Sequence, residues 1–277
     1  MGLAVLALSW IVGTSVAASA HDPDLVAATD GSRLLLTHDG GYSWHRVPFP
    51  VLTRIHSLAF LGRDLVASTA RGLMAVPGPK SPPAIRSRLH LDAVASAGDS
   101  LWGTDGGFLL LSKDGGFQFQ PVAALPEAPV HGLAVSGRRV VIVAASGMWA
   151  RTPSGWRVID PRADWTIAAS PEGTFYRLSS DGLQKSIRQD EWQLVATVGG
   201  RALAIGASAT WISTGRGVMR LGELLQGHKP GEPRSDLEPM RELAKPPASN
   251  LASPRLAAAF RRLSSAGSRS SESSSER

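Results

Sequence analysis

Asp39 in "LLLTHDGGYSWHRV" (34–47) and Asp114 in "LLLSKDGGFQFQPV" (109–122) stand in the same setting, with a hydroxyl residue shortly before, two glycines directly after and an aromatic beyond. Carboxylates on a glycine-rich loop could act as general acids in a hydrolytic reaction. The same residue types have a second use. An Asp side chain accepts hydrogen bonds from backbone N–H groups ahead of it, and glycines take φ > 0, so together they fix a tight hairpin. Ser112, Asp114, Gly116 and Phe119 replace Thr37, Asp39, Gly41 and Trp44 one for one. A stretch that recurs in this way is expected to be a turn lock whose aromatic packs between neighbouring sheets.

The remaining candidates for chemistry are few. The chain has two tyrosines. Tyr42 lies inside the first turn, which leaves Tyr176 in "TFYRLS", beside Arg177 but on the opposite face of a strand. The seven histidines, His21, His38, His45, His56, His90, His131 and His228, show no paired spacing for a metal and are expected in loops or at strand edges. Asp92, Asp164 and Asp190 fall at strand ends, as turn-formers do. No glycine loop followed by Lys-Ser/Thr and no Gly-x-Ser-x-Gly elbow occurs. No metal or cofactor is expected.

The elements that must position these residues follow from composition and rhythm. The chain has 277 residues, 43% of them hydrophobic, with 29 glycines and 19 prolines separating short apolar runs, which indicates strands and turns. With no cysteine, disulfides and thiolate metal sites are excluded. The net charge is +6, but the basic residues are scattered and not interleaved with stacking aromatics, so nucleic acid is not an expected partner.

Four segment types recur. The first is "IHSLAF" (55–60), "LDAVAS" (91–96), "VHGLAVS" (130–136), "DWTIAAS" (164–170) and "RALAIGAS" (201–208). The second, from "DLVAAT" (24–29) to "TWISTG" (210–215), has six copies, each followed by a glycine and a third apolar segment. From Gly72 onward those glycines step by 35, 40, 35 and 35 residues. The fourth opens on Trp44, Phe119, Trp156 and Trp192, with the member near 80–85 interrupted by prolines. Four short strands in about 37 residues, repeated six times, predict an all-β fold, a six-bladed β-propeller of four-stranded blades.

The pattern Ser/Thr-x-Asp-x-Gly-x-x-aromatic resembles the Asp-box, or bacterial neuraminidase repeat, of sialidases, sortilin-type receptors and photosystem II assembly-factor-like propellers. Thr37, Asp39, Gly41 and Trp44 match it in full, and Ser112, Asp114, Gly116 and Phe119 match it with Phe for Trp. The blade rhythm covers about 14–222. The resemblance implies two functional classes. One is a non-catalytic binding module or assembly scaffold, a monomer serving a protein partner. The alternative is a sialidase-like glycoside hydrolase, whose arginine cluster, tyrosine nucleophile with glutamate, and aspartic acid would have to form around Tyr176. The Arg-Ile-Pro-like segment of that family is not found here.

The ends divide the chain into 1–20, a propeller at 21–229 and a Pro/Ser-rich tail at 230–277. Residues 1–20 permit two readings. They resemble a signal peptide cleaved after Ala18-Ser19-Ala20, which implies a periplasmic or secreted protein without a stable membrane span. In the other reading 14–19 form a first-type strand, 5–12 close the last blade, and the protein is cytoplasmic. Ser235 with Glu238 suggests a capped helix at 236–245, Ser253-Pro254 a second, and the serine-rich end disorder.

Overall fold

A computed structural model describes residues 15–49, 53–78, 82–188, 191–214 and 217–226. The closing strand expected at 5–12 and the helices and disorder expected beyond 230 lie outside the described residues.

The chain builds six antiparallel sheets in succession, each an up-and-down meander. Blade 1 contains β1 (Ser15–Ala18), β2 (Val26–Thr29), β3 (Leu34–Thr37) and β4 (His45–Val47). Blade 2 contains β5 (Ile55–Leu61), β6 (Asp64–Thr69), β7 (Gly72–Val76) and β8 (Ala84–Ser87). Blade 3 contains β9 (Ala93–Ala97), β10 (Ser100–Asp105), β11 (Phe108–Ser112) and β12 (Gln120–Ala124). Blade 4 contains β13 (Val130–Ser136), β14 (Arg139–Ala144), β15 (Gly147–Thr152) and β16 (Gly155–Asp160). Blade 5 contains β17 (Thr166–Ala169), β18 (Phe175–Ser179), β19 (Gly182–Ser186) and β20 (Trp192–Ala196). Blade 6 has three strands among the described residues, β21 (Ala202–Ile205), β22 (Thr210–Thr214) and β23 (Gly217–Arg220), followed by helix α1 (Leu221–Leu225). The architecture is a six-bladed β-propeller.

Position in the blade dictates composition. The middle strands of a blade are covered by the neighbouring blades on both faces, so β2 and β3 are buried throughout, while the outer β20 exposes Leu194 and Val195. The glycines that open β7 and β15 have a steric cause. Gly72 and Gly147 hold φ of 110° and 129°, and a Cβ there would run into the carbonyl oxygen of Ser87 or Asp160 on the outer strand.

The core is six interblade layers, and five of them take an aromatic from a fourth segment or the linker after it. Trp44 packs with Val16 and Val26 of blade 1 and Trp211 of blade 6. Phe49 joins the layer between blades 1 and 2. Phe119 packs between blades 2 and 3, Trp156 between 3 and 4, and Trp192 between 4 and 5. Between blades 5 and 6 the corresponding filling is Leu221 and Leu224 of α1, against Leu178, Leu183, Leu203 and Ile212. A buried leucine contributes about 2 kcal/mol, so a layer of several such side chains holds neighbouring sheets together.

The ring closes where blade 6 meets blade 1. β1 packs beside β21, the Ala207 amide donates to the Ser19 carbonyl (3.1 Å), and Arg220 pairs with Asp24 (3.1 Å). Ser19 is fully buried, and its hydroxyl accepts from the amides of His21 and Asp22.

Candidate binding site at the channel mouth

The two recurring turns are built alike. The Thr37 hydroxyl donates to Asp39 Oδ1 (2.7 Å) and accepts from the Gly41 amide (3.0 Å), while Asp39 also accepts from the Ser43 amide (2.9 Å) and hydroxyl (2.6 Å). In blade 3 the Ser112 hydroxyl donates to Asp114 (2.7 Å) and accepts from the Gly116 amide (2.7 Å), and Asp114 accepts from the amides of Phe117 and Gln118. Gly41 and Gly116 have φ of 91° and 95°. Burial works to raise the Asp39 pKa, but the hydrogen bonds from Ser43 and Thr37 outweigh it and hold the carboxyl below its ordinary value. The Gln118 amide, with the Ser112 hydroxyl, does the same for Asp114. Neither carboxylate, nor any of Thr37, Gly41, Trp44, Ser112, Gly116 and Phe119, lines the central channel.

The channel, about 420 Å³, is walled by the first strands of all six blades. Those strands run the same way along the axis, so their starts gather at one mouth and their ends at the other. The starts carry His56, His131, Asp164 and Arg201, all exposed and all part of the channel lining. The ends carry small or apolar residues such as Ala18, Phe60, Val135 and Ile205. Hydroxyls stitch adjacent walls together: Ser57 accepts from the Val94 amide (3.2 Å), and Thr166 donates to the Arg201 carbonyl (3.0 Å).

Tyr176 and Arg177 take opposite sides of β18. Tyr176 packs against Leu178 and Leu203 between blades 5 and 6. Arg177 is buried between blades 4 and 5, its guanidinium centred 4.1 Å from the Trp165 ring and 4.4 Å from that of Trp192. It donates to Asp160 (2.7 Å) and to Gln184 (2.8 Å). Burial opposes the Asp160 charge, yet Arg162 and Arg177 hold that carboxyl below its ordinary value. Among the described residues, Arg201 is the single arginine in the channel lining, and Tyr176 is not part of it. No group of three or more His, Cys, Asp or Glu that could hold a metal ion occurs among the described residues.

His56 and His131 therefore lie in channel-lining strands, not in loops. The signal was present in the sequence: both are the second residue of a first-type segment, "IHSLAF" and "VHGLAV". Metal-ligand spacing does not reveal it, because the two residues belong to different blades.

No protein-family model matches the chain, and no curated protein does. Solved structures share its fold. A gluconolactonase from Xanthomonas campestris has a TM-score of 0.55 at 14% identity, covering 75% of this chain and 86% of its own. U3-55K has a TM-score of 0.51 at 12% identity and 72% coverage of each chain. YCF48 bound to D1 peptide has a TM-score of 0.48 at 16% identity, covering 77% of this chain and 82% of its own. At such identities the likeness is one of fold alone.

Proposed function

We propose that this chain is a non-catalytic propeller of the Asp-box type, a binding module that presents its charged channel mouth to a protein partner. The observation that carries this reading is the make-up of the channel lining: among the described residues it holds one carboxylate, Asp164, and no tyrosine. Glycoside hydrolysis with two carboxylates needs a pair flanking the bond, and a tyrosine mechanism needs the phenol in the cleft. Instead, polar groups of mixed charge gather on a rigid rim, an arrangement suited to recognition. The turns around Asp39 and Asp114 are then structural Asp-box turns, supported by their matching hydrogen bonds away from the channel.

The test places a photo-cross-linking amino acid at position 56 on the rim, or at position 194 on the outer edge, in the native host. A discrete protein adduct from position 56 and none from 194 is the expected result. No adduct from 56, or turnover of a fluorogenic glycoside by the purified protein that Asp164→Asn abolishes, would overturn the reading.

A further inference from the structure

We propose that the channel mouth binds a tetrahedral oxyanion, as free phosphate or as the phosphate of a small monoester, through His56, His131 and Arg201. This rests on the reading of that mouth as a recognition site and names its chemistry.

The argument is one of register. In blade 2 Ser57 faces Ser68, in blade 4 Gly132 faces Val143, and in blade 6 Ala202 faces Ser213. Each of these partners lies the same distance before the glycine that opens the third strand, Gly72, Gly147 or Gly217. The residue preceding the first member is His56, His131 and Arg201 in turn. The three occupy one level of the propeller in alternate blades, a third of a turn apart. The corresponding residues are Asp92 in blade 3, whose amide donates to the Thr104 carbonyl (2.8 Å) as that of Arg201 does to Ser213, and Trp165 in blade 5. Thus blades 2, 4 and 6 each offer a nitrogen donor at this level, while blade 3 offers a carboxylate and blade 5 an indole.

Local structure fixes these donors. His56 and His131 each sit where the pairing of the inner strand slips, the kind of bulge that re-aims a side chain. Arg201 is held through its main chain on both sides: its amide donates to Ser213 (2.8 Å) and its carbonyl accepts from Thr166 (3.0 Å). An imidazole donates through N–H in either charge state, and a guanidinium always does. Three donors with threefold disposition match the three free oxygens of a phosphate monoester better than the two of a carboxylate. Behind this level Arg162 and Arg177 stack on Trp165 (4.6 and 4.1 Å), and both share their charge with Asp160 (3.2 and 2.7 Å). Three carboxylates oppose the anion: Asp92 at this level in blade 3, Asp164 on the rim, and Glu127, which acts electrostatically on His131 while accepting from the Ser146 amide (3.0 Å).

Calorimetric titration of the full chain with inorganic phosphate, glycerol 2-phosphate and acetate tests the proposal. Phosphate or the monoester should bind at least about ten-fold more tightly than acetate, and Arg201→Gln and His56→Gln should each weaken that binding by about ten-fold. Asp164→Asn should tighten it a few-fold, an opposite sign that damage to the fold would not produce. Preference for glycerol 2-phosphate assigns a small monoester, and preference for phosphate the free ion. Absent phosphate binding, equal affinity for acetate, or unchanged affinity in a folded H56Q/R201Q variant would overturn the proposal. If the cross-link from position 56 persisted in that case, the oxyanion alone would be discarded and the binding module would stand.

Discussion

At the scale of single residues, the chain uses carboxylates to fold. Asp39 gathers Thr37 and Ser43 around one turn, and Asp30 does the same for Ser32 and Arg33 in the preceding hairpin, where its pKa is lowered to about 2 despite burial, through bonds from those two residues. A carboxyl whose folded pKa is depressed stabilises the fold above its unfolded pKa, and that stabilisation is lost as pH falls through the folded value. For Asp30 the window runs from the ordinary value of 3.8 down to about 2. Replacing Asp39 with Ala should cost about 1 kcal/mol at neutral pH, and the gap to the parent should close on acidification, as read from urea unfolding. A gap independent of pH would mean that the turn does not depend on the carboxylate charge. The role of Asp39 was suggested by its glycines and its second copy in blade 3. The placement of His56 is marked only by its being the second residue of a first-type segment, because a histidine's neighbours across a ring come from other blades and leave no mark on local spacing.

At the scale of elements, the rhythm of glycines and aromatics identified the strands, since each strand type meets the same surroundings in every blade. What it did not announce is α1. The run "MRLGELL" continues an apolar pattern from β23, and nothing local says that it turns into a helix. Its purpose emerges only from the layer it fills: Leu221 and Leu224 occupy between blades 5 and 6 the place that Trp192 takes between 4 and 5. Replacing both leucines with Ala should destabilise the protein by about 2 kcal/mol and reduce hydrogen-exchange protection in β22 and β23 first. Uniform loss of protection across all six blades would show that α1 belongs to the global core and is not a local cover.

At the scale of the whole molecule, the ring is cooperative because each blade buries its faces only against neighbours. β1 is the inner strand of blade 1, so a cut between Ala20 and His21 would remove one wall of the channel together with the Ser19 contacts to blade 6. A chain starting at His21 should unfold at lower urea concentration than one starting at Met1 and with a shallower transition, because an opened ring exposes edges that the native seam covers. An equal midpoint and slope would mean that the seam holds without β1. The seam also sets an order of events during synthesis. Arg220 and Asp24 are 196 positions apart, so when β1 and β2 leave the ribosome their partners across the seam do not yet exist. Blade 1 must wait with one flank uncovered through nearly the entire translation of the propeller, and the first strands made are the last to be completed.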